Sequence, residues 1–219
     1  MVARQVHLVR HGEVHNPTRV LYGRLPGFGL SDRGHRMAEA AAADLIARDR
    51  DISALYASPL QRTQESAAPI ATGLGLAVVI EERIIEPTNV FEGMRLRGPN
   101  SALKNPRLWR YLVNPFRPSW GEPYSAIARR MLAAMTDAAL AATDGDVVMV
   151  SHQLPIEIVH RRVTGARYIH DPRLRRCALS SVTSFELVDP ARPEKGFVEV
   201  GYADPASHLA EGAIDVGAV

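Results

Sequence analysis

Val6-His7-Leu8-Val9-Arg10-His11-Gly12-Glu13 is the stretch from which the fold can be read. A short apolar run that stops at a polar, glycine-containing turn is the pattern of a buried strand leaving a sheet at its C-terminal end. The pattern recurs twice. Ala54-Leu55-Tyr56-Ala57 runs into Ser58-Pro59, and Val147-Val148-Met149-Val150 runs into Ser151-His152. Helical periodicity fills the intervals. Ser31 and Asp32 are placed to cap a helix reaching about Arg48. Ser58 and Pro59 suit an N-cap and a first turn, with Arg62 just inside. Further helices are expected over Glu122 to Ala142 and about Pro155–Val163, with a short strand at Leu76–Ile80.

Strands alternating with helices imply parallel βαβ units whose ligand sites lie beyond the C-terminal strand ends. The last two strands, Ser180–Val188 and Gly196–Tyr202, are joined by Asp189-Pro190-Ala191-Arg192-Pro193 and read as a hairpin. The expected fold is therefore α/β: a three-layer α/β/α sandwich with a mostly parallel central sheet and a C-terminal hairpin at one edge. One domain, 1–205, accounts for most of the 219 residues. Residues 94–121, with four prolines and weak periodicity, read as an insert or cap, and 206–219 as a loosely held tail.

Composition narrows the function. With 26 basic and 24 acidic side chains the net charge is only +2, too balanced for the basic stripe of a nucleic-acid binder. Cys177 is the only cysteine, which leaves no intramolecular disulfide and suits a reducing compartment. No stretch resembles a secretory leader or a membrane span, so a cytoplasmic location without membrane partners is expected. Oligomeric state is left open, a dimer among the options.

The strand-end rule gathers His11, Arg62 and His152 at one edge of the sheet, and Arg10 precedes His11. Two arginines, two histidines and a carboxylate there suit phosphoryl transfer, which needs cations around the equatorial oxygens, an in-line nucleophile and a proton source. Arg10 and Arg62 carry planar charged forks that match phosphate, and a helix start near Pro59 adds N–H groups. Neutral His11 is a competent nucleophile, and its phosphorylation would divide hydrolysis into two easier steps. This chemistry requires neither a metal nor a cofactor. The spacing His11-Gly-Glu-Val-His15 does not fit a His-Glu-x-x-His zinc site, because glycine intervenes and the segment is a strand-end loop.

In motif order the chain resembles the histidine phosphatase superfamily, the phosphoglycerate mutase-like group, over about residues 1–165. Leu8-Val9-Arg10-His11-Gly12-Glu13 is similar to its signature. Gly29-Leu30-Ser31-Asp32-Arg33-Gly34 resembles its Pro-Leu-Thr-x-x-Gly segment, Ser58-Pro59-Leu60-Gln61-Arg62-Thr63 its second arginine segment, and Val150-Ser151-His152 its second histidine segment. The resemblance implies that Arg10 and Arg62 bind phosphate, that His11 is phosphorylated, and that His152 contacts the phosphoryl group. It also implies a general acid at Glu86, in Ile84-Ile85-Glu86 before Glu92-Gly93, with Glu92 as second choice.

Two departures stand out. Asn16 sits one position earlier than the family's phosphate-touching asparagine, and Gln153-Leu154-Pro155 replaces a glycine-rich stretch. Asn16 and Gln153 are accordingly secondary phosphate-binding candidates, while His15 reads as a rim residue. The implied activity is a phosphomonoesterase acting on a small phosphorylated metabolite. A mutase shares the core residues, but Glu86-Pro87-Thr88-Asn89-Val90-Phe91-Glu92 lacks the mutases' Glu-Arg-x-Tyr-Gly stretch. An inert anion-binding module of the same fold is the other alternative. Arg95, Arg97, Lys104, Arg107, Arg110 and Arg117 in the insert hint at a substrate with more than one anionic group, beside the aromatics Trp109, Tyr111, Phe116 and Trp120.

Overall fold

The computed structural model describes residues 5–96, 98, 101–111, 120–142 and 145–215. Strands β1 (Val6–Arg10), β2 (Ile52–Ala57), β3 (Val78–Ile80), β4 (Asp146–Ser151), β5 (Val182–Leu187) and β6 (Phe197–Ala203) form one sheet in the order β3-β2-β4-β1-β5-β6. The first four in that order run parallel, and β5 lies antiparallel to both β1 and β6, which makes the expected edge hairpin. Alternation explains the central position of β1 and β4. Val6, Leu8, Val147 and Met149 face one core, with helices α3 (Tyr124–Ala141) and α4 (Gln153–Thr164). Val9, Val148 and Val150 face the other, with α1 (Asp32–Ala47) and α2 (Gln61–Leu74). Both faces of these strands are covered, so their sequences read as near-continuous apolar runs.

Of three helix starts, two differ from expectation for local reasons. Ser31 caps α1 as predicted, its side chain accepting from Gly34 N. Ser58 caps nothing: Leu60 is the N-cap of α2, without a side-chain bond, and Arg62 is the second helical residue. Helix α4 begins two residues earlier than Pro155, which falls in the first turn where its missing N–H is harmless.

One close approach fixes the loop after β1. A Cβ on Gly12 would lie 2.4 Å from Gly34 O, and one on Gly34 would lie 2.0 Å from Glu13 O. Glycine at both positions lets the strand-end loop press on the first turn of α1.

Within the insert, short 3-10 turns span Ala102–Lys104 and Pro106–Tyr111. Tyr111 and Trp120 pack with Leu96 and Leu108 around a small core of Leu21, Phe91 and Ala102. Arg95, Lys104, Arg107 and Arg110 are exposed, as is Trp109, whereas Arg97, Phe116 and Arg117 lie outside the described residues. No described helix is long and apolar enough to cross a membrane. The segment expected as a tail is held down as far as it is described: buried Ala206 leads into a turn at Ser207–Leu209, and the chain continues to Asp215 beside β1.

Candidate active site

The loops leaving β1 and β4 and the first turn of α2 bring Arg10, His11, Arg62 and His152 together, and the segment after β3 adds Glu86. All five are buried, none more than 2% exposed. The rings of His11 and His152 meet edge to face, 5.3 Å between centroids.

Hydrogen bonds settle the protonation of both rings. His11 Nδ1 lies 2.8 Å from Gly12 O, which can only accept, so Nδ1 carries the proton. Nε2 is then a bare lone pair, and this buried atom has no partner. Burial, reinforced by Arg62 and Arg10, holds the His11 imidazole well below its usual range and keeps it neutral. His152 Nδ1 lies 3.2 Å from an Arg62 nitrogen, which can only donate, so its proton sits on Nε2 and is given to Ser58 Oγ at 2.8 Å. Burial and the neighbouring Arg62 keep this ring neutral too.

The cations are held by neutral oxygens on one side. Arg62 Nη2 donates to Gly23 O at 2.8 Å, and its guanidinium carbon lies 4.7 Å from the Tyr22 ring centroid. Gly23 itself has φ +43°, and a Cβ there would collide with the Glu92 side chain. Arg10 Nη1 donates to Cys177 O at 2.7 Å, and both terminal nitrogens of Arg10 reach the Asp215 carboxylate, at 2.9 and 2.5 Å. Burial opposes the Arg10 charge, but Asp215 outweighs it and the guanidinium stays firmly protonated.

Glu86 supplies the carboxyl group. Its Oε2 lies 3.5 Å from His152 Nδ1, and its Oε1 is buried without a partner. Burial pushes the Glu86 carboxyl up, against the pull of Arg62, Arg175 and Arg10. A carboxyl biased toward its protonated form beside a neutral nucleophile is the pairing that acid-assisted displacement needs.

Other expected residues lie differently. Asn16 spends its amide on its own loop, donating to Val20 O at 2.8 Å and accepting from Val20 N at 3.2 Å. Glu92 likewise accepts from the backbone N–H groups of Arg24 and Asn89, which leaves Glu86 as the carboxyl beside the histidines. Gln153 is nearer: its Oε1 accepts from Arg175 at 3.0 Å, and its Nε2 shares Cys177 O with Arg10 at 3.5 Å. His15 is exposed.

Four participants escaped the sequence. Ser58 orients His152, Tyr22 stacks on Arg62 with its phenol pushed up to about 12 by burial, Arg175 braces Gln153, and Asp215 pairs with Arg10. None sits at a spacing that marks it. Only the adjacent glycine hinted that Tyr22 stands at a tight turn.

An open groove of about 580 Å³ runs along Arg62, bordered by Arg24, Leu25, Phe28, Leu60 and Gln64. A larger hollow of about 740 Å³, between α3, α4 and the β5–β6 hairpin, shares no residue with the cluster. Among the described residues no three His, Cys, Asp or Glu side chains are grouped to hold a metal ion.

Known proteins share this arrangement of sequence and fold. The family described as Histidine phosphatase superfamily (branch 1) matches residues 6–194. An uncharacterized protein of Mycobacterium tuberculosis is 54% identical over 203 residues, covering 93% of this chain and 97% of that one. A probable phosphoglycerate mutase of Erwinia tasmaniensis is 30% identical over 220 residues, covering 96% and 97%. Among solved structures, phosphoserine phosphatase from Entamoeba histolytica, crystallised with 3-phosphoglyceric acid, superposes with a TM-score of 0.70 at 19% identity, covering 90% of this chain and 95% of that one. At that identity the likeness speaks to fold.

Proposed function

Since the chain belongs to the histidine phosphatase superfamily, branch 1, we propose that it is a metal-independent phosphomonoesterase working through a phosphohistidine at His11 on a small phosphorylated metabolite. The observation that carries this reading is the His11 tautomer: Nδ1–H is tied to Gly12 O, and the unpartnered Nε2 lone pair sits among buried arginines.

The steps follow from the groups at hand. Arg10 and Arg62 draw the phosphoryl oxygens in and offset charge developing on them. His11 Nε2 forms a bond to phosphorus as the bond to the leaving oxygen breaks, and protonated Glu86 gives that oxygen its proton. The alcohol departs. Glu86, now a carboxylate, takes a proton from water; the resulting oxygen attacks phosphorus, the P–N bond breaks, and inorganic phosphate leaves with His11 restored. His152, locked by Ser58, holds the Arg62 fork and faces the transferring group. Gln153 is placed to steady the Arg10 side through Cys177 O. The location that fits this chemistry is the cytoplasm, where the buried thiol of Cys177 stays reduced.

The test is phosphate release from a panel of phosphomonoesters in excess EDTA, comparing wild type with His11→Ala. Chelator-resistant release that disappears in the variant is the expected result. Release abolished by EDTA would sink the metal-independent reading. Isomerisation of phosphoglycerates without net release would replace the hydrolase with a mutase.

A further inference from the structure

The catalytic groups are closed off, and the last described residues supply part of the closure. From buried Ala206 the chain turns at Ser207–Leu209 and returns to the mouth of the site. Ile214 N donates to Glu13 Oε1 at 2.6 Å, tying the segment to the loop that follows His11. The next residue sets both carboxylate oxygens of Asp215 on the two terminal nitrogens of Arg10. This bidentate pairing is the one that an arginine makes with a phosphate. Arg10 is wholly buried in the pair, while the Asp215 side chain is 38% exposed. The carboxylate therefore has water to retreat into, whereas among the described residues Arg10 hydrogen-bonds to no other anion.

We propose that residues 207–215 form a strap that closes the site by setting the Asp215 carboxylate on Arg10 where a phosphoryl group would bind, so that strap and substrate compete for one guanidinium. This rests on the assignment of Arg10 to phosphate. Two anions compete at this guanidinium: they repel each other, and both terminal nitrogens, which a phosphate entering from that side would need, are already taken by Asp215. Phosphate binding must then release Asp215, and the free enzyme's affinity for phosphate is scaled down to the fraction of time that the strap is open. The Ile214–Glu13 bond gives the strap a second attachment, on the loop that positions His11, so opening is felt at the nucleophile's own turn.

The probe is inorganic phosphate, titrated calorimetrically into the wild type and into Asp215→Ala, with hydrogen exchange at the Ile214 amide followed in the wild type. The proposal expects Asp215→Ala to bind phosphate about fivefold or more tightly, and saturating phosphate to speed exchange at Ile214 in the wild type. Equal phosphate affinity in the two proteins, or Ile214 exchange unmoved by phosphate that does bind, would overturn the strap and leave the phosphatase reading standing. No phosphate binding by either protein would overturn both. The wild-type exchange measurement decides the matter even if the variant folds poorly.

Discussion

Strands β1 and β4 carry a buried histidine cluster at each end, and the two are built on opposite plans. At the starting end His7 Nδ1 meets Ser184 Oγ at 2.8 Å and Nε2 meets Asp146 Oδ2 at 3.2 Å. Asp146 also takes Arg50 and the backbone N–H of Gln5. The Asp146 carboxylate lies between Arg50 and His7 there, and none of those buried side-chain atoms lacks a partner. At the finishing end Arg10 and Arg62 lie close to two neutral histidines, and Arg10 Nε, His11 Nε2, Arg62 Nε and Glu86 Oε1 are all unpartnered. Burial alone does not separate the two clusters, since His7, Asp146 and Ser184 are buried like the groups at the other end. Satisfaction does. A closed network secures the fold, whereas unsatisfied buried groups are tolerated where they serve chemistry.

That contrast can be broken by mutation. The largest effect is expected from His11→Ala, which should lower kcat/KM for phosphate release by about 10⁴-fold or more. Its urea midpoint should stay near or above wild type, because the change removes a buried nitrogen that nothing satisfies. Arg62→Ala should cost about 10²- to 10³-fold in kcat/KM. Arg62→Lys should recover little of it, since a point charge cannot reproduce the fork over Tyr22.

Glu86→Gln should lower kcat by about 10²- to 10³-fold and reshape the pH profile. Turnover needs neutral His11, present above a depressed imidazole pKa, and protonated Glu86, present below a raised carboxyl pKa. Wild-type kcat/KM should therefore be highest between the two transitions and fall as pH rises through the Glu86 transition. The Gln variant should lose that alkaline fall.

Asp146→Ala should do the reverse of His11→Ala. Stability should drop by about 2–4 kcal/mol in urea unfolding, because His7 and Arg50 lose their partner, while kcat stays within about twofold. Burial would raise the Asp146 carboxyl, but His7, Arg50 and Gln5 outweigh it and hold it at about 2. Its contribution to wild-type stability is thus full above the ordinary aspartate value and is lost as pH falls toward about 2. A large activity loss in Asp146→Ala with stability intact would erase the distinction between the two ends.

What the sequence disclosed follows the same division. The apolar runs 6–9 and 147–150 fixed the two central strands because both of their faces are buried, and the turns after them located Arg10, His11 and His152. Arg62 was legible because it follows a strand-and-turn signal by a fixed spacing. Tyr22, Ser58, Arg175 and Asp215 were not, since each reaches the cluster only through tertiary packing. Ser58-Pro59 shows how a local signal misleads: it is a good N-cap pair by composition, yet the helix starts beyond it and the serine hydroxyl goes to His152 across 94 positions of sequence. Asn16 lies in the opposite sense, its amide bonding to Val20 within its own loop.

The most direct test of the central claim is to mix the enzyme with a ³²P-labelled phosphomonoester that it turns over, quench within milliseconds, and analyse the protein. The expected result is label on His11 that survives alkali and is lost in acid, as a phosphoramidate should be, with none in His11→Ala. Turnover without any labelled protein intermediate, or label persisting in His11→Ala, would contradict it.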